Sequence, residues 1–179
     1  MIMTLEDGRN IATMVAAVIA VFGIILALVN LKKTEQSVRF RVYIDILDMC
    51  ESVRDARLLL YEKVPKEPSN TSLTGLTPDE VNELDGLTRV FDRLGLLVKH
   101  GVVPESFIFD FYSRPLVVAW HRLEPRITEE RRKREQPGYM RKFEILAIRA
   151  KNYRDKTHPG QETFRLTNEQ KESWKVWKK

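Results

Sequence analysis

Residues 11–29 form a run of 19 residues without a single charge, and this run constrains the fold more than any other feature. As an α-helix it would be about 28 Å long, close to the ~30 Å hydrocarbon core of a bilayer. A cleaved export signal would have a shorter apolar core, preceded by positive charge. The sequence therefore predicts a transmembrane helix at residues 11–31, after a short external N-terminus at residues 1–10.

Basic residues beside the apolar run predict its orientation. Only Arg9 precedes the run, whereas four basic residues follow it shortly afterwards: Lys32, Lys33, Arg39 and Arg41. Basic flanks of a membrane helix stay in the cytoplasm. We therefore expect a single-pass protein of the plasma (inner) membrane, with the N-terminus outside and the C-terminal domain in the cytoplasm.

Small residues recur along the same run at helical spacing: Ala12, Ala16, Ala20, Gly23 and Ala27. Such residues let two membrane helices approach closely, which favours a homo-oligomer formed through this stripe. The competing interpretation is that alanine is simply common in membrane helices.

The remainder of the chain has the apolar spacing of α-helices almost throughout. It predicts a long juxtamembrane helix at residues 32–63, a loop at 64–76, a helical bundle at 77–156, and a basic tail with a short amphipathic helix at 157–179. We find no strand-like alternation of useful length. The predicted fold is all-α, with one N-terminal transmembrane helix followed by a small cytoplasmic helical bundle.

Local signals add detail to the bundle. Thr77, Pro78 and Glu80 predict a capped helix start, and Gly101 predicts the end of that helix. Cys50 is expected to be a small core side chain rather than a nucleophile, because no histidine lies near it in sequence. Apolar spacing predicts these core positions: Leu84, Leu87, Phe91, Leu94, Val98, Phe107, Phe111 and Tyr112.

Positive charge is concentrated in the C-terminal part of the chain. Residues 1–113 carry 12 basic and 16 acidic residues, and residues 114–179 carry 18 and 9. This asymmetry predicts an anionic partner or pairing with the chain's own acidic helix. The predicted basic surface comprises Arg126, Arg131, Arg132, Lys133, Arg134, Arg141 and Lys142. The predicted interfacial tail comprises Trp174, Lys175, Trp177 and Lys178.

Two classes of ligand for this basic region differ in how well the sequence supports them. Tryptophan interleaved with lysine suits an anionic lipid surface, although the tail can equally pack on the body of the protein. Nucleic acid is disfavoured, because Glu129, Glu130 and Glu135 interleave with the basic run and no nucleic-acid motif is present.

Residues that carry catalysis form no recognisable pattern. The three histidines, His100, His121 and His158, are scattered, and the metal-binding, phosphate-binding and nucleophile motifs that we sought are absent from the sequence. We therefore expect no enzymatic activity, no cofactor and no metal.

Two segments carry a family resemblance. The first contains Leu94-Gly95-Leu96-Leu97, the helix end at Gly101, and Trp120, Leu123 and Pro125; the second contains Phe143-Glu144 and Leu146-Ala147. Over residues 87–154 the chain resembles a family of short prokaryotic single-pass membrane proteins with a helical cytoplasmic domain of unknown function. The resemblance implies a fold and a topology, but no activity.

These observations favour a membrane-anchored cytoplasmic interaction protein: an adaptor, a scaffold or an accessory subunit of a membrane complex. Its expected partners are the lipid bilayer and either another protein or a second copy of itself. The alternative is an anionic-lipid-binding or self-assembling membrane-surface protein that acts through the basic C-terminal half.

Overall fold

A computed structural model describes the backbone of residues 5–67 and 73–160, and the side chains of residues 19–67 and 73–160. Five α-helices occupy these residues, which contain no β-strand. Their bounds are Leu5–Glu51 for α1, Arg54–Lys63 for α2, Pro78–Lys99 for α3, Glu105–Lys133 for α4 and Arg141–Thr157 for α5. The predicted all-α class is therefore confirmed for this part of the chain.

The chain divides into two compact units, Met1–Asp45 and Ile46–Lys179, which are described separately. In the first unit the described backbone is part of helix α1 alone. The helix continues without interruption from the apolar run into the charged residues that follow it, because residues 24–45 contain neither glycine nor proline.

The predicted transmembrane helix at residues 11–31 is wrong for the described residues. None of the helices that they form combines the length and the apolarity that crossing a membrane requires. Described side chains begin at Ile19, and the apolar run from there ends at Leu31, before Lys32 and Lys33. The same helix then continues through further charged residues, Glu35, Arg39 and Arg41. The side chains of residues 1–10 lie outside the described part.

The helix predicted over residues 32–63 is divided into two by a turn at Ser52 and Val53. The Ser52 hydroxyl donates a hydrogen bond of 2.8 Å to the Met49 carbonyl oxygen, the kind of local bond that competes with helical backbone pairing. Apolar spacing continues across this turn, so the periodicity alone could not reveal it. The described residues of the predicted loop, 64–67 and 73–76, contain no helix.

Helix α3 begins and ends where the sequence predicts. The Thr77 side chain accepts a hydrogen bond from the Glu80 amide, and the Glu80 carboxylate accepts one of 2.8 Å from the Thr77 amide. At the other end, Gly101 has a φ of 67°, a left-handed conformation that glycine adopts at low cost. Leu84, Leu87, Phe91 and Leu94 are buried as predicted.

Helix α4 runs through Pro115 and Pro125 without a break, although proline usually starts or kinks a helix. A proline inside a helix costs about 3 kcal/mol. Burial of large apolar side chains contributes about 1.5–3 kcal/mol each. The segment between the two prolines contains several that are fully buried, so packing offsets the cost; they are Leu116, Val117, Trp120 and Leu123.

Burial at the start of α4 differs from the prediction. Phe111 is 61% exposed, whereas Ile108 and Phe109 are buried. Phe107 and Tyr112 are half-buried. The prediction for Phe111 was wrong because the aromatic residues Phe107, Phe109, Phe111 and Tyr112 lie within six positions, and a continuous helix turns only some of them towards the core.

Helix α5 packs against both α3 and α4 and completes the core of the second unit. The ring centroid of Phe143 lies 5.3 Å from that of Phe91 on α3 and 5.4 Å from that of Trp120 on α4. The ring planes of Trp120 and Phe143 are nearly perpendicular, a favoured edge-to-face arrangement. This aromatic group fixes the three helices against one another.

A glycine permits the close approach of α3 to the first turn of α5. A Cβ atom added at Gly95 would overlap the carbonyl group and the side chain of Lys142. Gly86 lies on the same helix, and a Cβ atom there would meet only the Arg89 side chain, at 3.9 Å. The two glycines therefore form a matched pair within α3.

We expect Gly95→Ala to lower the free energy of unfolding by about 1–3 kcal/mol, because the overlap involves backbone atoms that must shift. We expect Gly86→Ala to raise it by roughly 0.5–1 kcal/mol through helix propensity. Urea denaturation followed by circular dichroism measures both. Equal stability of the Gly95→Ala variant and the wild type would contradict the close approach.

Candidate functional site

The first unit exposes a segment of α1, residues 19–31, which is apolar except for Asn30 and which we call the apolar segment. Exposure of its large side chains ranges from 44% at Val29 to 66% at Ile19 and Leu31. Successive helical residues are about 100° apart, so these side chains cover every face of the helix. A helix that is apolar all round belongs in apolar surroundings, and exposed patches of this kind mark interaction sites.

Small residues of the predicted packing stripe lie within this apolar segment. Ala20, Gly23 and Ala27 are exposed, whereas the side chains of Ala12 and Ala16 lie outside the described residues. A Cβ atom added at Gly23 would have nothing within 4 Å. Packing among the described side chains therefore gives no reason for a glycine in mid-helix, where it costs roughly 0.5–1 kcal/mol relative to alanine.

Exposed members of the predicted basic surface are paired with carboxylates on their own helix. Arg132 binds Glu129 through two hydrogen bonds of 3.0 and 2.7 Å. Lys133 lies 3.7 Å from Glu129 and 3.8 Å from Glu130. Arg134 donates a 3.0 Å hydrogen bond to Glu130. These pairs reduce the positive field of the last turns of α4.

Arg126 is paired across helices rather than along its own. Its guanidinium donates hydrogen bonds of 3.0 and 2.8 Å to the two carboxylate oxygens of Asp85 on α3. The forked geometry orients both side chains and is stronger than a single-point ion pair. Arg126 therefore joins α4 to α3 instead of facing a ligand.

Arg131 and Arg141 share one buried carboxylate, that of Glu144 on α5. Glu144 accepts a hydrogen bond of 2.9 Å from Arg131 and one of 2.8 Å from Arg141. Arg131 also donates a 2.7 Å hydrogen bond to the Tyr139 carbonyl oxygen, and its guanidinium carbon lies 5.8 Å from the centre of the Trp120 ring. This group joins the end of α4 to the start of α5.

The remaining member of the predicted basic surface, Lys142, is held by its backbone. The amides of Lys142 and Phe143 donate hydrogen bonds of 2.9 and 3.0 Å to one carboxylate oxygen of Asp92. Six of the seven predicted residues thus form ion pairs, and the structure brings three of them, Arg131, Arg132 and Arg141, to one shallow cavity of about 680 Å³.

Sequence reasoning missed Asp92 as the side chain that caps α5. Met140, the residue just before α5, has a left-handed φ of 54°, and its side chain does not cap the helix. Asp92 supplies the missing acceptor from 50 residues earlier in the chain. No local sequence motif could identify Asp92 as the cap of α5, because Asp92 reaches the start of α5 only when α3 and α5 pack together.

Sequence reasoning also missed a buried arginine on α4. Arg122 is 7% exposed, and its Nη1 atom donates hydrogen bonds to the carbonyl oxygens of Leu60, Tyr61 and Val64 at 2.6, 3.3 and 2.9 Å. These carbonyls belong to the end of α2, where a helix has no internal donors left for them. Arg122 therefore serves as the C-terminal cap of α2.

Titratable groups considered for chemistry are not gathered into one site. Cys50 is fully buried, and burial raises the pKa of its thiol to about 11. His121 is half-buried, and burial lowers the pKa of its imidazole. Among the described residues, no group of three or more histidine, cysteine, aspartate or glutamate side chains could hold a metal ion.

The predicted interfacial tail cannot be compared with the structure. Trp174, Lys175, Trp177 and Lys178 all lie outside the described residues, as does the helix predicted around them. The described part of the chain ends at Gly160, just after α5.

A family model described as "Domain of unknown function (DUF4760)" matches residues 17–150, three quarters of the chain. The match starts within α1 and extends into α5, so it includes the apolar segment and most of the helical bundle. It agrees with the resemblance to an uncharacterised family. No curated protein and no solved structure matches the chain.

Proposed function

We propose the function from the chain's own surfaces, since the chain belongs to the DUF4760 family, whose description assigns no activity. We infer that it is a helical interaction protein, acting as an adaptor, a scaffold or an accessory subunit. The exposed apolar segment of α1 is its contact surface. The observation that supports this is the exposure, between 44% and 66%, of nine large apolar side chains in residues 19–31.

A comparison of the free energy of apolar burial with the cost of association favours a macromolecular partner for the apolar segment. Full burial of a large apolar side chain contributes about 1.5–3 kcal/mol. About half of each of nine side chains remains to be covered, which is worth roughly 7–13 kcal/mol. Association itself costs about 4–15 kcal/mol. A stable complex therefore needs a partner that covers most of the segment, which a small ligand cannot do.

The alternative function is binding to an anionic surface, and charge pairing on the second unit disfavours it. Six of the seven predicted basic residues are paired with four carboxylates: Asp85, Glu129, Glu130 and Glu144. Most of their charge is therefore compensated within the chain. We propose contact through the apolar segment as the main function, and not electrostatic attraction through the predicted basic surface.

A second candidate function is self-assembly through α1. Gly23 supports it, because the open space around this residue would admit a closely approaching helix. Ala20 and Ala27 lie one turn before it and one turn after it. A second copy of α1 offers the same small residues and apolar side chains, which is the self-complementarity that a symmetric dimer needs.

Affinity purification tests the proposed function. The full chain, tagged at its C-terminus, is purified from its native cells in a mild detergent and analysed by mass spectrometry. A stoichiometric second protein is expected, and a defined oligomer of the chain alone would support self-assembly instead. A lone monomer would overturn both.

A matched pair of variants locates the contact. Phe22 lies in the apolar segment and is 63% exposed, and Phe111 lies on α4 and is 61% exposed. We expect Phe22→Lys to reduce recovery of the partner, or of the oligomer, at least tenfold, because it places a charge in the contact. Phe111→Lys should leave recovery unchanged. Equal recovery with both variants would show that the contact lies elsewhere.

A further inference from the structure

A shallow groove runs along helix α1 just after the apolar segment. Its volume is about 670 Å³, and the residues that line it all belong to the first unit: Lys33, Gln36, Ser37, Phe40, Arg41 and Ile44. The side chain of Phe40 is 66% exposed and that of Ile44 is 41% exposed. The groove therefore presents two large apolar side chains to a partner.

The lining residues lie at the contact positions of a coiled-coil heptad. In a heptad written abcdefg, positions a and d face the partner helix, and positions e and g flank them. With Ser37 at position a, the other lining residues also fall on contact positions: Ile44 at a, Lys33 and Phe40 at d, Gln36 at g and Arg41 at e. The groove is thus the face that α1 would turn towards a second helix.

The shape of the groove suits side chains of an identical helix. In a coiled coil, each a or d side chain inserts into a hole formed by four residues of the facing helix. Two such holes follow each other along the groove, one bounded by Lys33 and Phe40 and the other by Ser37 and Ile44. In a parallel pair of identical helices, the first hole receives Ser37 of the second copy and the next receives its Phe40.

An ion pair occupies the opposite face of this part of α1. Arg39 donates a hydrogen bond of 2.7 Å to the carboxylate of Glu35, and the two side chains are 67% and 62% exposed. In the same heptad Glu35 falls at f and Arg39 at c, positions that face solvent in a coiled coil. The charged pair therefore lies where the outer face of a helix dimer would be.

The contact stripe continues back through the apolar segment. Steps of three and four residues before Lys33 lead to four further positions: Asn30 at a, Leu26 at d, Gly23 at a and Ile19 at d. Residues 19–44 thus maintain the repeat over almost four heptads of one uninterrupted helix. A repeat sustained over three to four heptads indicates a coiled coil.

Asn30 favours a second copy of the chain as the partner. It is the one polar residue of the apolar segment, and it falls at an a position. A side-chain amide carries both a donor and an acceptor, so it can satisfy an identical amide at the same level of the partner helix. An apolar partner would leave it unpaired. A single asparagine at an a position specifies the register of a coiled coil and the number of its helices.

We propose that residues 33–44 of α1 pair with the same residues of a second copy, as two parallel helices in register. This pairing deepens the self-assembly candidate named above and rests on it. It adds an orientation, a register and a contact surface outside the apolar segment. Lys33 of each copy lies in the same d layer, so repulsion between like charges weakens the pair.

Cysteine cross-linking of the full chain tests the orientation and the register. Cys50 is first replaced by alanine, so that only an introduced thiol can react. Residues 37 and 44 can both meet their own copies only when the helices are parallel and in register. In mild detergent with copper phenanthroline as oxidant, we expect Ser37→Cys and Ile44→Cys to form disulfide-linked dimers at least tenfold faster than Val38→Cys. Val38 is the matched control, because it is 58% exposed but falls at the outer position b.

Two adjacent lysines provide a test by gain of affinity. Lys33→Leu removes the like charges from the d layer, and we expect it to lower the Kd of the dimer at least tenfold. Lys32→Leu is the matched control, because Lys32 is also exposed but falls at the outer position c. Its Kd should equal that of the wild type. Analytical ultracentrifugation in mild detergent measures both, and a failure to fold cannot produce tighter association.

The outcomes separate this pairing from self-assembly in general. Equal cross-linking at residues 37 and 38, cross-linking at residue 37 without residue 44, or equal effects of Lys33→Leu and Lys32→Leu would each overturn the pairing. If the chain nevertheless formed an oligomer that Phe22→Lys disrupts, self-assembly through the apolar segment would stand without it. A chain that stays monomeric would overturn both.

Discussion

Replacement of Arg122 by leucine is expected to lower the free energy of unfolding by about 2–6 kcal/mol. The variant leaves the buried carbonyl oxygens of Leu60 and Val64 without a donor, and each such group costs about 1–3 kcal/mol. A domain of this size has a total stability of roughly 5–15 kcal/mol, so the variant should be partly unfolded at moderate temperature. Urea denaturation followed by circular dichroism measures the difference.

Arg126→Leu is the matched control for this prediction, because Arg126 lies one turn later on the same helix. Its side chain is 30% exposed and its partner Asp85 is 26% exposed, so water replaces much of the lost interaction. We expect a loss of about 1 kcal/mol or less. Similar losses for Arg122→Leu and Arg126→Leu would show that capping of α2 contributes little.

Glu144→Gln is expected to lower the free energy of unfolding by about 2–3 kcal/mol. The side chain keeps its size but loses its charge, which leaves Arg131 and Arg141 without their shared carboxylate. Breaking a fully buried ion pair costs about 3–5 kcal/mol. The expected loss is smaller here because Arg141 is 34% exposed and can be hydrated. Equilibrium unfolding in urea measures it.

Glu129→Gln provides the comparison for Glu144→Gln. Its main partner, Arg132, has a side chain that is 74% exposed. Exposed pairs of this kind contribute about 0.2–1 kcal/mol. If Glu144→Gln were no more harmful than Glu129→Gln, the junction between α4 and α5 would depend on apolar packing and not on its ionic group.

Local signals in the sequence were sufficient for much of the fold. The capping box at Thr77 and the glycine at Gly101 define α3 at both ends, and both motifs act within a few residues. Apolar spacing identified the buried face of α3 through Leu84 and Phe91. Spacing could not locate the turn at residues 52–53, because the apolar period continues across it.

Pairing of the predicted basic surface was only partly predictable. Arg132 and Arg134 pair with glutamates three and four residues before them, a spacing that is visible in the sequence. Arg126 pairs with Asp85 from another helix, 41 residues away, and Glu144 on α5 pairs with Arg131 on α4. These contacts depend on how α3, α4 and α5 pack, which periodicity does not specify.

The apolar segment shows why a composition pattern does not by itself determine an environment. The apolar segment, in which Asn30 is the one polar residue, and the charged residues after it belong to one helix, α1. Apolar side chains need to be covered, but composition alone does not identify the surface that covers them. The purification experiment addresses this question directly.

Alkylation of the chain's one cysteine, Cys50, measures how fast the helical bundle opens. Cys50 is fully buried and holds its proton to about pH 11, so an alkylating reagent at neutral pH reacts with it only after the surrounding helices have opened. At high reagent concentration the labelling rate equals the opening rate, and at low concentration it reports the open population. Mass spectrometry of the alkylated chain therefore measures the lifetime of the folded bundle, and no probe has to be introduced.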